Sequence, residues 1–224
     1  MKKFDPATAL QRLDTVDASR GVNPSISDSA TFTFPEAHLM TETFHGETEG
    51  YFLYSRHWNP TNLALCRALA AIEGTEAAWV TGSGLAAITC ALMHEVKTGD
   101  HIVASMTTYG GTFAFMANYL KKFGVETTFV NMQDLAAVER TLAEVPDVKV
   151  VYTETMNNPL LRIADVPRLS QLAHRAGAKL IVDNTFTPMI FSPCRLGADV
   201  TVYSMTKYIN GTNDCVAGAI CGSK

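Results

Sequence analysis

The chain has no C-x-x-C pair, and its five cysteines (66, 90, 194, 215 and 221) are an odd number. That pattern excludes a disulfide framework and the common zinc ligand sets, and it fits structural thiols in a reducing, cytoplasmic compartment. Six histidines (38, 45, 57, 94, 101 and 174) show no metal-ligand spacing, so no metal site is expected. Charged residues are scarce at 18%, and the net charge is −4. This argues against nucleic acid or an anionic membrane surface as a partner. No uncharged apolar run approaches the roughly 18 residues of a membrane span. The opening MKKFDPATAL also lacks the apolar stretch of a signal peptide. Apolar residues are plentiful: they make up 47% of 224 residues, enough for one large domain or two small ones.

Residues 1–58 show little periodicity and are interrupted by Pro24, Pro35, Gly46 and Gly50. They still carry aromatics (Phe32, Phe34, Phe44, Tyr51, Phe52, Tyr54 and Trp58), so they do not read as compositionally disordered. A long irregular stretch of this kind reads as an extended arm packed on a neighbouring subunit. From residue 59 onward, alternation sets in. Asn59 and Pro60 start a helix that stops at Gly74. Further helices are expected over 84–95, 110–122, 134–144 and 165–176. Strands are expected over 77–81, 101–106, 125–130, 148–153, 179–183, 199–203 and 216–221. This order predicts an α/β domain over 59–224, a mainly parallel sheet flanked by helices.

In such sheets ligands bind beyond the carboxyl ends of the strands. That rule selects Thr81–Leu85, Thr107–Gly111, Glu154–Asn158, Asp183–Asn184 and Ser204–Lys207. The stretch VTGSGLAAITC (80–90) places Gly82 and Gly84 at a strand-to-helix turn, where backbone N–H groups can approach an anion. It is neither standard nucleotide fingerprint. Ala87 stands at the third glycine position of G-x-G-x-x-G, and no Gly-Lys-Ser/Thr follows. Asp183 closes the apolar strand KLIVD. Lys207, in YSMTKYINGT, is flanked by Ser204, Thr206 and Tyr208. A lone loop lysine is normally a solvated charge, but hydroxyls around it suit a phosphorylated ligand.

The motifs YSRHWNPT, TGSGLAAI, VDNTF and YSMTKY, in this order and spacing from about Gly21 onward, resemble the Cys/Met-metabolism family of pyridoxal 5′-phosphate (PLP) enzymes. The resemblance implies a PLP fold type I large domain of the aspartate aminotransferase kind, and it implies roles for individual residues. Lys207 is the primary amine that condenses with the cofactor aldehyde and later moves protons. Asp183 faces the ring nitrogen and favours its protonated form. Tyr109 stacks on the ring and assists proton transfer, and Asn158 bonds the 3′ oxygen. Gly84 and Leu85 offer N–H groups to the phosphate, with Ser83, Ser204 and Thr206 adding hydroxyls. Tyr54 and Arg56 serve the phosphate of a neighbouring subunit, so a homodimer or homotetramer is expected.

The resemblance also carries departures. Gly211–Asp214 reads GTND where the family runs Gly-His-Ser-Asp or similar. Ser27 and Asp28 stand where many members carry tyrosine and glutamine. Gly111 replaces a cysteine frequent in methionine γ-lyases. The family's C-terminal substrate domain, with its carboxylate-binding arginine, is expected outside these residues. Three functions stay open. The leading one is γ-elimination on a sulfur amino acid, as in methionine γ-lyase. The second is γ-replacement on an acylated homoserine, as in cystathionine γ-synthase or O-acetylhomoserine sulfhydrylase. The third is a PLP-binding fragment without turnover.

Overall fold

The structure, a computed structural model, describes residues 4–13 and 23–224. The remainder of the expected arm, including Gly21, lies outside the described residues.

Seven strands form one sheet: β1 (Ala77–Thr81), β2 (His101–Ser105), β3 (Glu126–Val130), β4 (Val148–Glu154), β5 (Lys179–Asp183), β6 (Val200–Ser204) and β7 (Gly218–Gly222). Their spatial order is β1-β7-β6-β5-β4-β2-β3. Strands β3, β2, β4, β5 and β6 run parallel, whereas β7 lies antiparallel to both β6 and β1. The expected mainly parallel sheet is therefore present, with one reversed strand inserted near its edge.

The helices begin and end where the sequence carries caps. In α3 (Pro60–Glu73), Asn59 accepts the Thr61 N–H and Gly74 closes the last turn at φ +73°. Helix α4 (Gly84–Glu95) is capped by Ser83, which accepts the Ala86 N–H at 3.0 Å. Asp134 and Asp165 cap α6 (Leu135–Glu144) and α7 (Val166–Arg175). The helix expected over 110–122 is mixed. It is α-helical over Gly110–Ala114, π-helical over Phe115–Tyr119 and 3₁₀ over Leu120–Phe123, and we label it α5.

The first 58 residues are less irregular than their sequence suggests. They hold α1 (Pro6–Gln11), capped by Asp5, and α2 (Ala37–Phe44). Helix α1 packs on α3 of the same chain. Neither α1 nor α2 buries a residue fully, which is why no apolar stripe announced them.

Alternation along the central strands sorts the core into two faces. Val151, Leu180 and Val182 pack beneath α6 and α7, against Val138, Leu169 and Ala173. Ile102, Val150, Tyr152, Ile181 and Val202 pack beneath α4 and α5, against Ile88, Leu92, Met116 and Leu120. Toward the β7 edge, α3 covers Tyr203, Ala219 and Cys221. Among the described residues, no helix is long and apolar enough to cross a membrane.

An acidic side chain also sits inside this core. Glu73, at the end of α3, is 1% exposed. It accepts from Thr201 Oγ1 at 2.9 Å, from Ser192 Oγ and the Cys194 N–H at 3.1 Å each, and from the Tyr203 hydroxyl. Tyr203 in turn accepts from Asn184 Nδ2 at 3.0 Å, which links Glu73 to the residue next to Asp183. Burial pushes the Glu73 carboxyl up, and the four donors pull it back. A Glu73→Leu substitution strands these donors without an acceptor. It is expected to lower stability by about 3 kcal/mol or more, read as a fall in the urea midpoint.

Candidate active site

The same two-residue period that builds the core also places the polar groups. Tyr152 and Glu154 follow Val150 on the α4-facing side of β4. Asp183 follows Ile181 on β5, and Ser204 follows Val202 on β6. All reach the carboxyl ends of their strands together, because Glu154 pairs with Asp183 and Asp183 with Val202 in the parallel register. With Tyr152 buried behind them, Glu154, Asp183 and Ser204 open onto a cavity of about 640 Å³. Its lining includes Ser83, Gly84, Leu85, Tyr109, Asn158, Asp183, Ser204, Thr206 and Lys207. Nine of the residues predicted from the sequence thus converge on one hollow.

Tyr54 and Arg56 do not line this cavity. They sit in the loop before α3, with the Arg56 guanidinium 5.0 Å from the centre of the Tyr54 ring. A larger hollow of about 1220 Å³ opens at the opposite end of the parallel strands, by Lys179, Asp199 and Val200. Its lining charges are exposed or already paired, as Lys179 is with Glu95 at 2.9 Å. Among its described lining residues there is no enclosed carboxylate comparable to Asp183, which makes the smaller cavity the candidate active site.

At one end of the cavity stands the start of α4. The N–H groups of Gly84 and Leu85 have no carbonyl one turn back within the helix to bond, and they carry the positive end of its dipole. Glycine is required at 84 by contact: a Cβ there would lie 2.4 Å from Ser204 Cβ. This brings the helix start against the end of β6, next to the hydroxyls of Ser204 and Thr206. Two of the predicted hydroxyls have other duties. Ser83 Oγ caps Ala86, and Thr206 Oγ1 donates to Ala217 O at 3.2 Å and accepts its N–H at 3.0 Å. Donors arranged this way can hold a phosphate ester.

Asp183 is 7% exposed, with Oδ1 accepting the Thr185 N–H at 2.9 Å and Oδ2 accepting from the Tyr152 hydroxyl at 3.4 Å. Burial pushes its carboxyl up, partly offset by the Thr185 bonds. A protonated heterocyclic nitrogen placed against it would satisfy a charge that the protein alone leaves uncompensated. Lys207 follows β6 in a turn closed by Gly211, whose N–H bonds Lys207 O at 2.8 Å. Its amine has no hydrogen bond or ion pair to a described residue and is available for condensation. The size, the anion-binding end, the buried acid and the free amine fit PLP. Among the described residues, no cluster of His, Cys, Asp or Glu could hold a metal ion.

Sequence reasoning assigned no role to Glu154, although it marked the strand end that carries it. Glu154 lines the cavity, and its Oε1 accepts the Tyr109 N–H at 2.6 Å and Thr108 Oγ1 at 3.2 Å. Burial first, and the Asp183 charge second, push its carboxyl up to about 7 from 4.5. A carboxyl raised on folding contributes stability that is fully present below its unfolded value and is lost as pH rises through its folded value. The cofactor-free protein should therefore lose about 3 kcal/mol from this group between about pH 4.5 and about pH 7. Glu154→Gln should flatten that slope in urea midpoints measured across the interval.

Residues 7–224 match the family model for Cys/Met metabolism PLP-dependent enzymes. A methionine gamma-lyase of Arabidopsis thaliana is 44% identical over 225 residues, covering 98% of this chain and 51% of the relative. A cystathionine gamma-lyase of Bacillus subtilis is 43% identical, covering 78% of this chain and 45% of its own length. The chain thus spans about half the length of the curated relatives it matches. Among solved structures, a Campylobacter jejuni protein described as an O-acetylhomoserine (thiol)-lyase superposes with a TM-score of 0.90 at 29% identity. The match covers 99% of this chain and 55% of that one, and that structure carries a pyridoxyl-lysine phosphate adduct. With the family match running almost end to end, the chain belongs to the Cys/Met metabolism family of PLP-dependent enzymes.

Proposed function

We propose that this chain is the cofactor-binding portion of a PLP enzyme that carries out γ-elimination on a sulfur amino acid, as methionine γ-lyases do. The products are a thiol, 2-oxobutyrate and ammonia. The observation that carries the reading is the convergence of the Lys207 amine, the enclosed Asp183 carboxylate and the bare start of α4 on one cavity. The 44% identity to a plant methionine gamma-lyase favours elimination. The fold match to the O-acetylhomoserine (thiol)-lyase favours a second reading, γ-replacement on an acylated homoserine.

Bound in the cavity, PLP would act as an electron sink that makes the substrate's α and β protons acidic. Lys207 would anchor the cofactor covalently and, once released, its Nζ would carry a proton from Cα and take one from Cβ. Asp183 would hold the ring nitrogen in its protonated form, and Asn158 would bond the ring oxygen. Gly84, Leu85, Ser204 and Thr206 would grip the phosphate, with Ser83 fixing the helix start. Tyr109 would cover the ring and donate a proton to the departing sulfur.

Tyr54 and Arg56, exposed and outside this cavity, would complete the phosphate site of a neighbouring subunit through the 1–58 segment. A guanidinium free to make a bidentate contact suits that task.

Purified protein supplied with PLP should develop a visible absorption band that Lys207→Ala lacks. Retention of the band in that variant would refute the assignment of Lys207. Full-length protein given methionine alone should release thiol and 2-oxobutyrate. Turnover only with an acylated homoserine and a thiol would select the replacement reading, and PLP binding without any turnover by this 224-residue chain alone would select the PLP-binding fragment. Mixing Arg56→Ala with Lys207→Ala subunits should restore on the order of one quarter of the sites. No recovery in mixed oligomers would place Arg56 outside the neighbour's site.

A further inference from the structure

We propose that Glu154 is the positioning residue that fixes Tyr109 over the cavity by clamping the loop between β2 and α5 to the end of β4. The proposal rests on the reading of the cavity given above, in which Tyr109 faces the cofactor.

Tyr109 is poorly held by its own side chain. The residue is 55% exposed, and its hydroxyl makes no hydrogen bond to a described residue. Its backbone, at φ −49° and ψ 135°, stands outside the helix that follows. What fixes it is the 2.6 Å bond from its N–H to Glu154 Oε1. The neighbouring Thr108 hydroxyl donates to the same oxygen at 3.2 Å. The Asn158 backbone, on the segment that follows β4, also acts to lower that carboxyl against the burial that raises it. A single carboxylate at the end of β4 therefore holds two consecutive residues of the β2–α5 loop. A second tie, Asn157 Nδ2 to Thr107 Oγ1 at 2.6 Å, joins that loop to the segment after β4.

The other side of Tyr109 is defined by absence. A Cβ on Gly111 would lie 2.6 Å from Tyr109 Cε1, so the ring occupies space that only glycine leaves open. With the backbone fixed by Glu154 and the ring lying against Gly111, the phenol has a defined direction. Placing a second acid beside enclosed Asp183 is unfavourable, and the bonds to the Tyr109 loop are what that position gains in exchange. A clamp needs only an acceptor oxygen at the right reach. A proton carrier would need the ionisable group itself.

The test uses three substitutions and two readouts. Glu154→Gln keeps the acceptor without the charge. Glu154→Met removes the acceptor at similar length. Glu154→Asp keeps the charge but withdraws the oxygen by one methylene. In the cofactor-free chain, hydrogen exchange at the Tyr109 amide should stay slow in the Gln variant and become fast in the Met and Asp variants. In the full-length PLP-loaded enzyme, Met and Asp should lower kcat by about tenfold to a hundredfold, and Gln by far less. Those losses should vanish when Tyr109→Phe is already present.

Slow exchange in the Asp variant, losses that add to those of Tyr109→Phe, or a Gln variant as impaired as Met each overturn the proposal. The last of these would make Glu154 a proton carrier. Should the Met variant not fold, the Asp and Gln pair decides alone. If the wild-type chain takes up no PLP, the functional reading fails, while the exchange data still test the clamp.

Discussion

An enclosed carboxylate at the carboxyl end of a parallel strand is unfavourable unless a cation or several donors meet it. Asp183 is such a group, and much of the chemical end of the protein is arranged around it. Tyr152 and the Thr185 amide meet its two oxygens from within the protein. The face of Asp183 that opens on the cavity is shared with Lys207 and with the N-terminal turn of α4. Behind it, Glu73 and Tyr203 hold Asn184 through a buried hydrogen-bond chain, so the segment leaving β5 has a fixed course. The site is densely hydrogen-bonded on the side that holds Asp183 and open on the side that faces solvent.

Glycines decide how closely these parts approach. Gly84 admits Ser204 to the helix start, and Gly218 admits the Ser83 carbonyl, which would lie 2.1 Å from an added Cβ. The anion-binding end is therefore a packing solution shared by β1, α4, β6 and β7 rather than a free-standing loop. This explains why the stretch around residue 83 matches neither nucleotide fingerprint. Its glycines answer to neighbours in this fold.

Most of the framework was legible in the residues. Asn59 with Pro60, Gly74, Asp134, Asp165 and Gly177 marked helix ends to within a residue or so, because capping is a local interaction. Lys179–Asp183 read as a strand because it is a short apolar run between turn signals. The strand-end rule then collected the residues of the cavity. Long-range features were not legible. Glu73 looks like an ordinary polar residue at a helix end until Thr201 and Tyr203, far away in the chain, close over it. Glu154 gains its significance from a loop 45 residues earlier. Helices α1 and α2 bury too little to produce a stripe, and the reversal of β7 is a matter of topology that no local pattern records.

That reversed strand has a consequence for how the protein is made. β1 pairs with nothing in the sheet except β7, and all five parallel neighbours of the sheet lie between the two in the sequence. During synthesis, Ala77–Thr81 must leave the ribosome and wait for Gly218–Gly222 before its backbone groups find partners. The central strands, whose partners are nearer in sequence, can assemble beforehand. Because Gly218 also seats Ser83, the start of α4 is locked in place only once that distant strand has paired with β1.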